Sequence, residues 1–493
     1  MFKLLNNKGL INYIAACLAA FMICFCGMST VLAVEESIGT EEKKSEKSDK
    51  KEKSENTDED EDASDDEDED NDEDKEEKKE RKKGEKPVLA EGETGVLIDS
   101  VSGRVLFESD STKKMYPAST TKVMTAMLAI EAVERGEVSM ENTVTITPAM
   151  LENADPDGSN IALKVGEVIT LDNLLKGLMV ASGNDAACAI ATYISGSISE
   201  FVELMNARAA ELGANDTHFV NPHGLHDSEH YTTAADMAKI ACAAMKLTKF
   251  RNIVDIAHIK IPPTNVTEQE RYYINTNGLL STMRYTNFYF KGSIGIKTGY
   301  TSDAGNCLVS AAARDGVELI AVLFGGKDTT YSHKDSIEML EWGFEEFVSA
   351  VAVSKDDMLS EIKVKQGKGT DSLTLSAKES VRVLVPKDTK IEDLEIKPNI
   401  PESVYAPIAA ETEIGGVTVL LNGEELGSGR LVATKTIERS AFWPVMALGE
   451  WLWGMTAVRI ILYVLCGAVV IFIIMFIAAI RRNIRKAKRR RRR

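Results

Sequence analysis

Cysteine is scarce where a core would form. Of seven cysteines in the 493-residue chain, Cys17, Cys24, Cys26 and Cys466 lie in apolar terminal segments. Only Cys188, Cys242 and Cys307 lie in the globular middle. An odd number at wide spacing excludes a disulfide framework and a cysteine-based metal site, and free buried thiols are expected. Histidine is also sparse, and four of the six cluster at His218, His223, His226 and His230. That segment has no cysteine partner and no His-Glu-x-x-His helix, and it is broken by Asn221-Pro222 and Gly224. Structural hydrogen bonding is the expected role, with zinc as the weaker alternative. Apolar residues are nearly absent from residues 35–86. This tract runs from mixed Glu/Lys/Ser through an acidic block at 58–74 to a basic end. It cannot bury enough surface to offset its ordering entropy, so disorder is expected over residues 34–87. A solvated spacer is the plain reading, with cation binding or charge repulsion as the alternative.

The net charge of −18 therefore hides strong segregation. Residues 1–33 have a positive start (Lys3, Lys8), an apolar core and the small-residue end Val31-Leu32-Ala33. Together these predict a secretory signal peptide. A lipoprotein box at Cys17 and an uncleaved anchor remain open. At the other end, residues 441–456 carry Trp443, Trp451 and Trp453. Residues 457–480 are apolar and long enough to span a bilayer, and residues 481–493 are strongly basic. Positive flanks stay cytoplasmic and tryptophans favour the interface. The expectation is a single-pass membrane protein with its bulk outside the cytoplasm. After a membrane span, a basic tail signals topology and no nucleic-acid partner.

Between these ends the chain reads as globular. Tyr116-Pro117-Ala118-Ser119-Thr120-Thr121-Lys122 predicts the start of a buried helix reaching about Arg135-Gly136, with Pro117 at its entry and Gly136 as its cap. On a helix, Ser119 and Lys122 share a face. A serine hydroxyl needs an adjacent base, and a lysine becomes one when burial or a cationic neighbour lowers its pKa. Ser-x-x-Lys alone recurs by chance, and two later motifs, Ser182-Gly183-Asn184 and Lys297-Thr298-Gly299, supply the specificity. Residues 95–100 and 105–108 predict a hairpin. Residues 142–147 predict a short strand, and residues 171–180, 186–194 and 201–212 predict helices. Residues 292–301, 306–313 and 317–324 predict strands, and residues 336–348 a closing helix. Alternating stretches between residues 351 and 439, with an Asn422-Gly423 turn, predict a small all-β domain.

In this order the three motifs are those of penicillin-binding proteins and class A β-lactamases. The chain resembles the low-molecular-mass penicillin-binding proteins, the serine-type D-Ala-D-Ala carboxypeptidases, from about residue 90 to 437. Further matching stretches are Gly183-Asn184-Asp185-Ala186, Asn221-Pro222-His223-Gly224, Asn275-Thr276-Asn277, Tyr300-Thr301 and Trp342-Gly343-Phe344. The resemblance implies an α+β catalytic domain at 88–350, an antiparallel sheet flanked by helices. An all-β spacer at 351–440 and the C-terminal transmembrane helix would follow. It implies Ser119 as nucleophile and acyl-ester site, Lys122 as proton acceptor, Ser182 as proton relay and Asn184 as a holder of Lys122 or the substrate amide. Lys297, Thr298, Gly299 and Tyr300 would bind substrate, with the N–H groups of Ser119 and Tyr300 as oxyanion hole. Peptidoglycan stem peptides are the implied substrates and β-lactams the implied inhibitors, with no metal or cofactor.

Two departures stand out. Tyr300 follows Lys-Thr-Gly where relatives often have histidine, and Ser332, beside His333 and Lys334, stands where some carry a carboxylate-reading arginine. A β-lactamase would need a second base, and no clear glutamate motif follows Ser182. A D,D-endopeptidase or transpeptidase would use the same residues. A non-catalytic scaffold is disfavoured because all the motif residues are intact.

Overall fold

The computed structural model describes residues 84–441, 444, 448, 451 and 454–490. The expected signal peptide, Trp443, Trp453, residues 491–493 and almost all of the charged tract lie outside them. The chain divides into two units, Met1–Lys78 and Lys79–Arg493, and the described residues all lie in the second.

Strand β1 (Thr94–Asp99) and strand β2 (Val105–Ser109) form the expected hairpin. A 3-10 turn at Ala118–Thr121 then leads into α1 (Lys122–Glu134), with Gly136 just beyond in the left-handed region. Ser119 therefore sits on the turn, and the helix starts at Lys122 rather than before it. The local reason is side-chain competition for the first carbonyls. Thr120 Oγ1 donates to Pro117 O at 2.6 Å and Thr121 Oγ1 to Ala118 O at 2.8 Å, which tightens the turn. Because α1 is buried on nearly every face, its sequence is apolar all round instead of striped.

Strand β3 (Thr143–Thr145) and the short α2 (Pro148–Leu151) follow, and β3 pairs with β4 (Val168–Thr170). Then come α3 (Leu171–Val180), α4 (Asn184–Ser195) and α5 (Ile198–Glu211). Helix α4 starts two residues earlier than its apolar pattern suggests, so Asn184 opens a helix. Beyond the histidine segment lie α6 (Ala234–Met245), α7 (Thr248–Val254) and the hairpin β5 (His258–Ile261) with β6 (Arg271–Ile274), none of which the sequence patterns announced.

Strands β7 (Ser293–Thr301), β8 (Gly305–Arg314) and β9 (Val317–Gly326) complete an antiparallel five-stranded sheet of order β2-β1-β9-β8-β7. Alternate residues of β9 serve two cores. Ile320, Val322 and Phe324 join the cluster of α1 and α6, while Leu319, Ala321 and Leu323 join Met339, Leu340 and Trp342 of α8 (Thr329–Glu346). A sheet covered on both faces explains the unbroken apolar run in β9. Helix α8 departs from its expected bounds at both ends. Asp328 caps it, accepting from the N–H groups of Thr330 and Tyr331, and Phe347 turns extended into β10 (Phe347–Val353). Strand β10 runs across the boundary expected at 350/351.

The small domain is all-β. Strand β10 pairs with β13 (Val381–Pro386). With β11 (Met358–Lys365), β12 (Ser372–Ala377), β14 (Leu394–Asn399), β15 (Ser403–Tyr405), β16 (Glu413–Leu421) and β17 (Glu424–Ala433), a six-stranded sheet has the order β14-β16-β17-β12-β11-β15, and in it β11 and β15 run parallel. Its core is separate, built on residues such as Leu373, Leu375, Val417, Val419 and Leu431. A final helix α9 (Thr456–Arg490) contains the one stretch among the described residues long and apolar enough to cross a membrane, Val458–Arg485.

One carboxylate joins two parts of the catalytic domain. Buried Asp185, at the start of α4, accepts from the N–H groups of Ile161 (3.0 Å), Leu163 (2.9 Å) and Ala186 (2.8 Å). This pins the loop carrying Ser159 against the loop carrying Ser182. Asp185→Ala would leave buried N–H groups without partners. It is expected to lower unfolding free energy by about 3 kcal/mol, measured by urea denaturation.

Candidate active site

Ser119, Ser182, Thr298, Gly299 and Tyr300 line one cleft of about 230 Å³, together with Ser159, Thr276 and Arg284. Lys122 and Lys297 lie beneath its wall, with 0% and 1% of their surface exposed. Motifs far apart in the chain thus converge on one site, because β7 runs alongside the 3-10 turn. Gly299 permits that contact. A Cβ at this position would lie 2.9 Å from Ser119 N and 3.1 Å from Ala118 Cβ. The glycine is therefore required for the approach of two backbones. Gly224 plays the same part on the other side. Its φ is +90°, and a Cβ there would come within 1.8 Å of Ala118 O.

Lys122 Nζ has three oxygens at 2.8 Å: Ser119 Oγ, Asn184 Oδ1 and the His223 carbonyl. Burial pushes its pKa well below the lysine range, and the nearby Lys297 charge lowers it further. A neutral amine has two N–H bonds and one lone pair. Asn184 and His223 can only accept from it, so they take the two N–H bonds and leave the lone pair facing the Ser119 hydroxyl. This is the geometry of a general base.

Lys297 is lowered to about 7, first by burial and then by Arg284. Its Nζ donates to Thr298 O at 2.8 Å and approaches Thr276 Oγ1 at 3.5 Å. The Thr298 hydroxyl donates to the same Thr276 oxygen at 2.6 Å. Ser182 is buried on the cleft wall with φ +61°, a strained backbone for a serine. Thr276 gave a signal only as the centre of Asn275-Thr276-Asn277. Arg284 and Ser159 gave none, since nothing local distinguishes them from surface residues.

The four histidines go to separate partners. His230 Nδ1 accepts from Val220 N–H at 3.0 Å, so Nε2 carries the proton and donates to Thr121 Oγ1 at 2.9 Å. That hydroxyl in turn holds Ala118 O, and His230 thereby braces the serine turn. His223 Nδ1 accepts from Leu225 N–H and Nε2 donates to Asn153 O. His218 meets Glu229 O, and the His226 ring packs edge-on against Tyr116.

A serine facing a neutral lysine, with a second lysine beside the cleft, can perform acyl transfer through a serine ester on a substrate bearing a carboxylate. These features define the class as serine-lysine acyl-transfer enzymes. Residues 81–328 match the D-alanyl-D-alanine carboxypeptidase family, and residues 347–439 match the penicillin-binding protein 5 C-terminal domain. The chain belongs to this family of serine-type D-Ala-D-Ala carboxypeptidases, whose members are penicillin-binding proteins. It is 32% identical to the D-alanyl-D-alanine carboxypeptidase DacF of Bacillus subtilis, over 73% of this chain and 90% of that one. It is 30% identical to DacA of Escherichia coli, over 71% and 85%. The solved penicillin-binding protein 5 of Haemophilus influenzae superposes with a TM-score of 0.59 at 29% identity, covering 72% of this chain and all of that one.

Burial holds His223 down to about 3 and His230 to about 4. Both stay neutral in the folded state, while the unfolded chain takes up protons below about pH 6.5. Their contribution is therefore fully present above that pH and is lost as pH falls towards 4. At pH 5 each is expected to have withdrawn roughly 2 kcal/mol, measured as a fall in urea midpoint between pH 7 and pH 5.

Proposed function

We propose that Ser119, Lys122, Ser182, Asn184, Lys297, Thr298, Gly299 and Tyr300 carry out the D-alanine-releasing reaction on peptidoglycan pentapeptide stems. The observation that supports this most directly is the triple coordination of a buried, neutral Lys122 beside Ser119. Ser119 Oγ attacks the carbonyl carbon between the two D-alanines as its proton passes to Lys122 Nζ. The oxyanion forms against the N–H groups of Ser119 and Tyr300. Collapse breaks the peptide C–N bond. The leaving amine takes a proton relayed from Lys122 through Ser182, and D-alanine departs. Water, deprotonated by Lys122, then attacks the ester and frees Ser119. Asn184 fixes the Lys122 amine, Lys297 and Thr298 face the terminal carboxylate, and Gly299 keeps β7 close to the serine. A β-lactam acylates the same oxygen.

The expected topology accompanies this reading. Helix α9 tethers the protein to the membrane, the basic end stays cytoplasmic and the catalytic domain faces the wall. Export through residues 1–33 is part of the same proposal.

Mass spectrometry of the full-length protein with a penicillin tests the nucleophile. A penicilloyl adduct on Ser119 is expected, and Ser119→Ala should show neither adduct nor D-alanine release from a diacyl-L-Lys-D-Ala-D-Ala peptide. Rapid penicillin turnover without adduct would point to a β-lactamase instead. The pH profile tests the two lysines. Lys122 must be neutral and Lys297 charged, so kcat/KM is expected to rise on the acid side with Lys122. On the alkaline side it should fall as Lys297 loses its proton, at about 7 in the free enzyme.

A further inference from the structure

The bound carboxylate needs a cation, and the wall of the cleft formed by α8 does not supply one. Ser332 is buried there, its Oγ 3.3 Å from Glu93 Oε1. Glu93 lies next to Asp335, and burial together with that neighbour pushes its carboxyl up to about 8. This wall therefore offers an acid and no cation. His333 is also neutral. Its Nδ1–H donates to Thr329 O at 2.8 Å, Nε2 accepts from Gly278 N–H at 3.2 Å, and its ring stacks on Phe288. Lys334 points away to solvent and does not line the cleft.

A segment packed on α8 differs. The segment between Asn277 and β7 places Arg284 and Tyr285 among the residues that line the cleft with Ser119 and Thr298. Its base is anchored, because the Tyr285 ring packs against Phe288 and His333 at 5.5 and 5.8 Å. The Arg284 guanidinium lies 5.7 Å from the Tyr285 ring centroid. Among the described residues lining the cleft, Arg284 is the only one with a permanent charge. It is near enough to Lys297 to be the charge that acts on it.

We infer that Arg284 is the carboxylate-reading residue of this chain, reaching from the segment before β7 to pair with the C-terminal carboxylate of the acyl donor beside Thr298. A guanidinium suits that task because it presents a planar fork of donors to two oxygens and stays charged where a buried lysine does not. The inference rests on the catalytic reading above and adds to it the residue that selects a free C-terminus. It also accounts for a chain in which Ser332 occupies the place where an arginine was expected.

The test uses the full-length protein and two peptides, diacetyl-L-Lys-D-Ala-D-Ala and the same peptide ending in D-alaninamide. The readout is the ratio of their kcat/KM values. The wild type is expected to favour the free acid. Arg284→Ala should collapse that ratio by about 10- to 100-fold, the size expected for a lost charge-assisted hydrogen bond, and Arg284→Glu should lower it further. An unchanged ratio in Arg284→Ala would overturn the inference, whether or not overall turnover falls. A wild type that hydrolyses neither peptide would overturn the catalytic reading, and this inference with it.

Discussion

The site depends on an amine held where water cannot reach it. Lys122 lies fully buried, and a charged ammonium there would lack the solvation it has at the surface. Its three polar neighbours do not include a carboxylate, so the surroundings favour the neutral form. Each neighbour comes from a different part of the chain. Ser119 is on the 3-10 turn, Asn184 starts α4, and the His223 carbonyl belongs to the histidine segment. Moving any of them would change whether the nitrogen is a base or an ion.

That requirement explains much of the surrounding construction. Asp185 ties the start of α4 to the loop carrying Ser159, and so fixes Asn184. His230, through Thr121, fixes the turn carrying Ser119, and Gly224 and Gly299 allow backbone to close around that turn. The strained φ of Ser182 fits the same pattern of local cost at the cleft, with the packed helices around it supplying the restraint. Lys297 adds a positive charge that pushes Lys122 further towards neutrality. Arg284 acts in turn on Lys297. The electrostatics of the cleft therefore run as a graded series, from a permanent cation at the mouth to a neutral amine at the floor.

Periodicity and spacing made a large part of the architecture legible. The stripe of Leu174, Leu175, Leu178 and Met179 defines α3, and the apolar runs joined by Asp315-Gly316 define β8 and β9, because in each case one local period matches one burial pattern. The three motifs marked the site because serine, lysine and glycine at those spacings are needed for chemistry, whatever surrounds them. Element ends were less legible. The hydroxyls of Thr120 and Thr121, the Asp328 cap and the extended turn at Phe347 decide them, and each is a contact with no periodic signal. Helix α6 is rich in small residues, and its place is set by its packing on β9 and β1.

The sequence alone therefore determined the class of chemistry, the two-domain order and the presence of an apolar segment long enough for a bilayer. Those properties follow from residue type and short-range spacing. Only the tertiary structure decided that β1 enters the sheet beside β9 and that Thr276 bridges Lys297 and Thr298. It also decided that His230 braces the turn, and that the cleft's permanent charge comes from Arg284 and not from α8. The physical reason is common to all four. Burial and electrostatic environment come from groups distant in the chain, and no local pattern encodes their meeting.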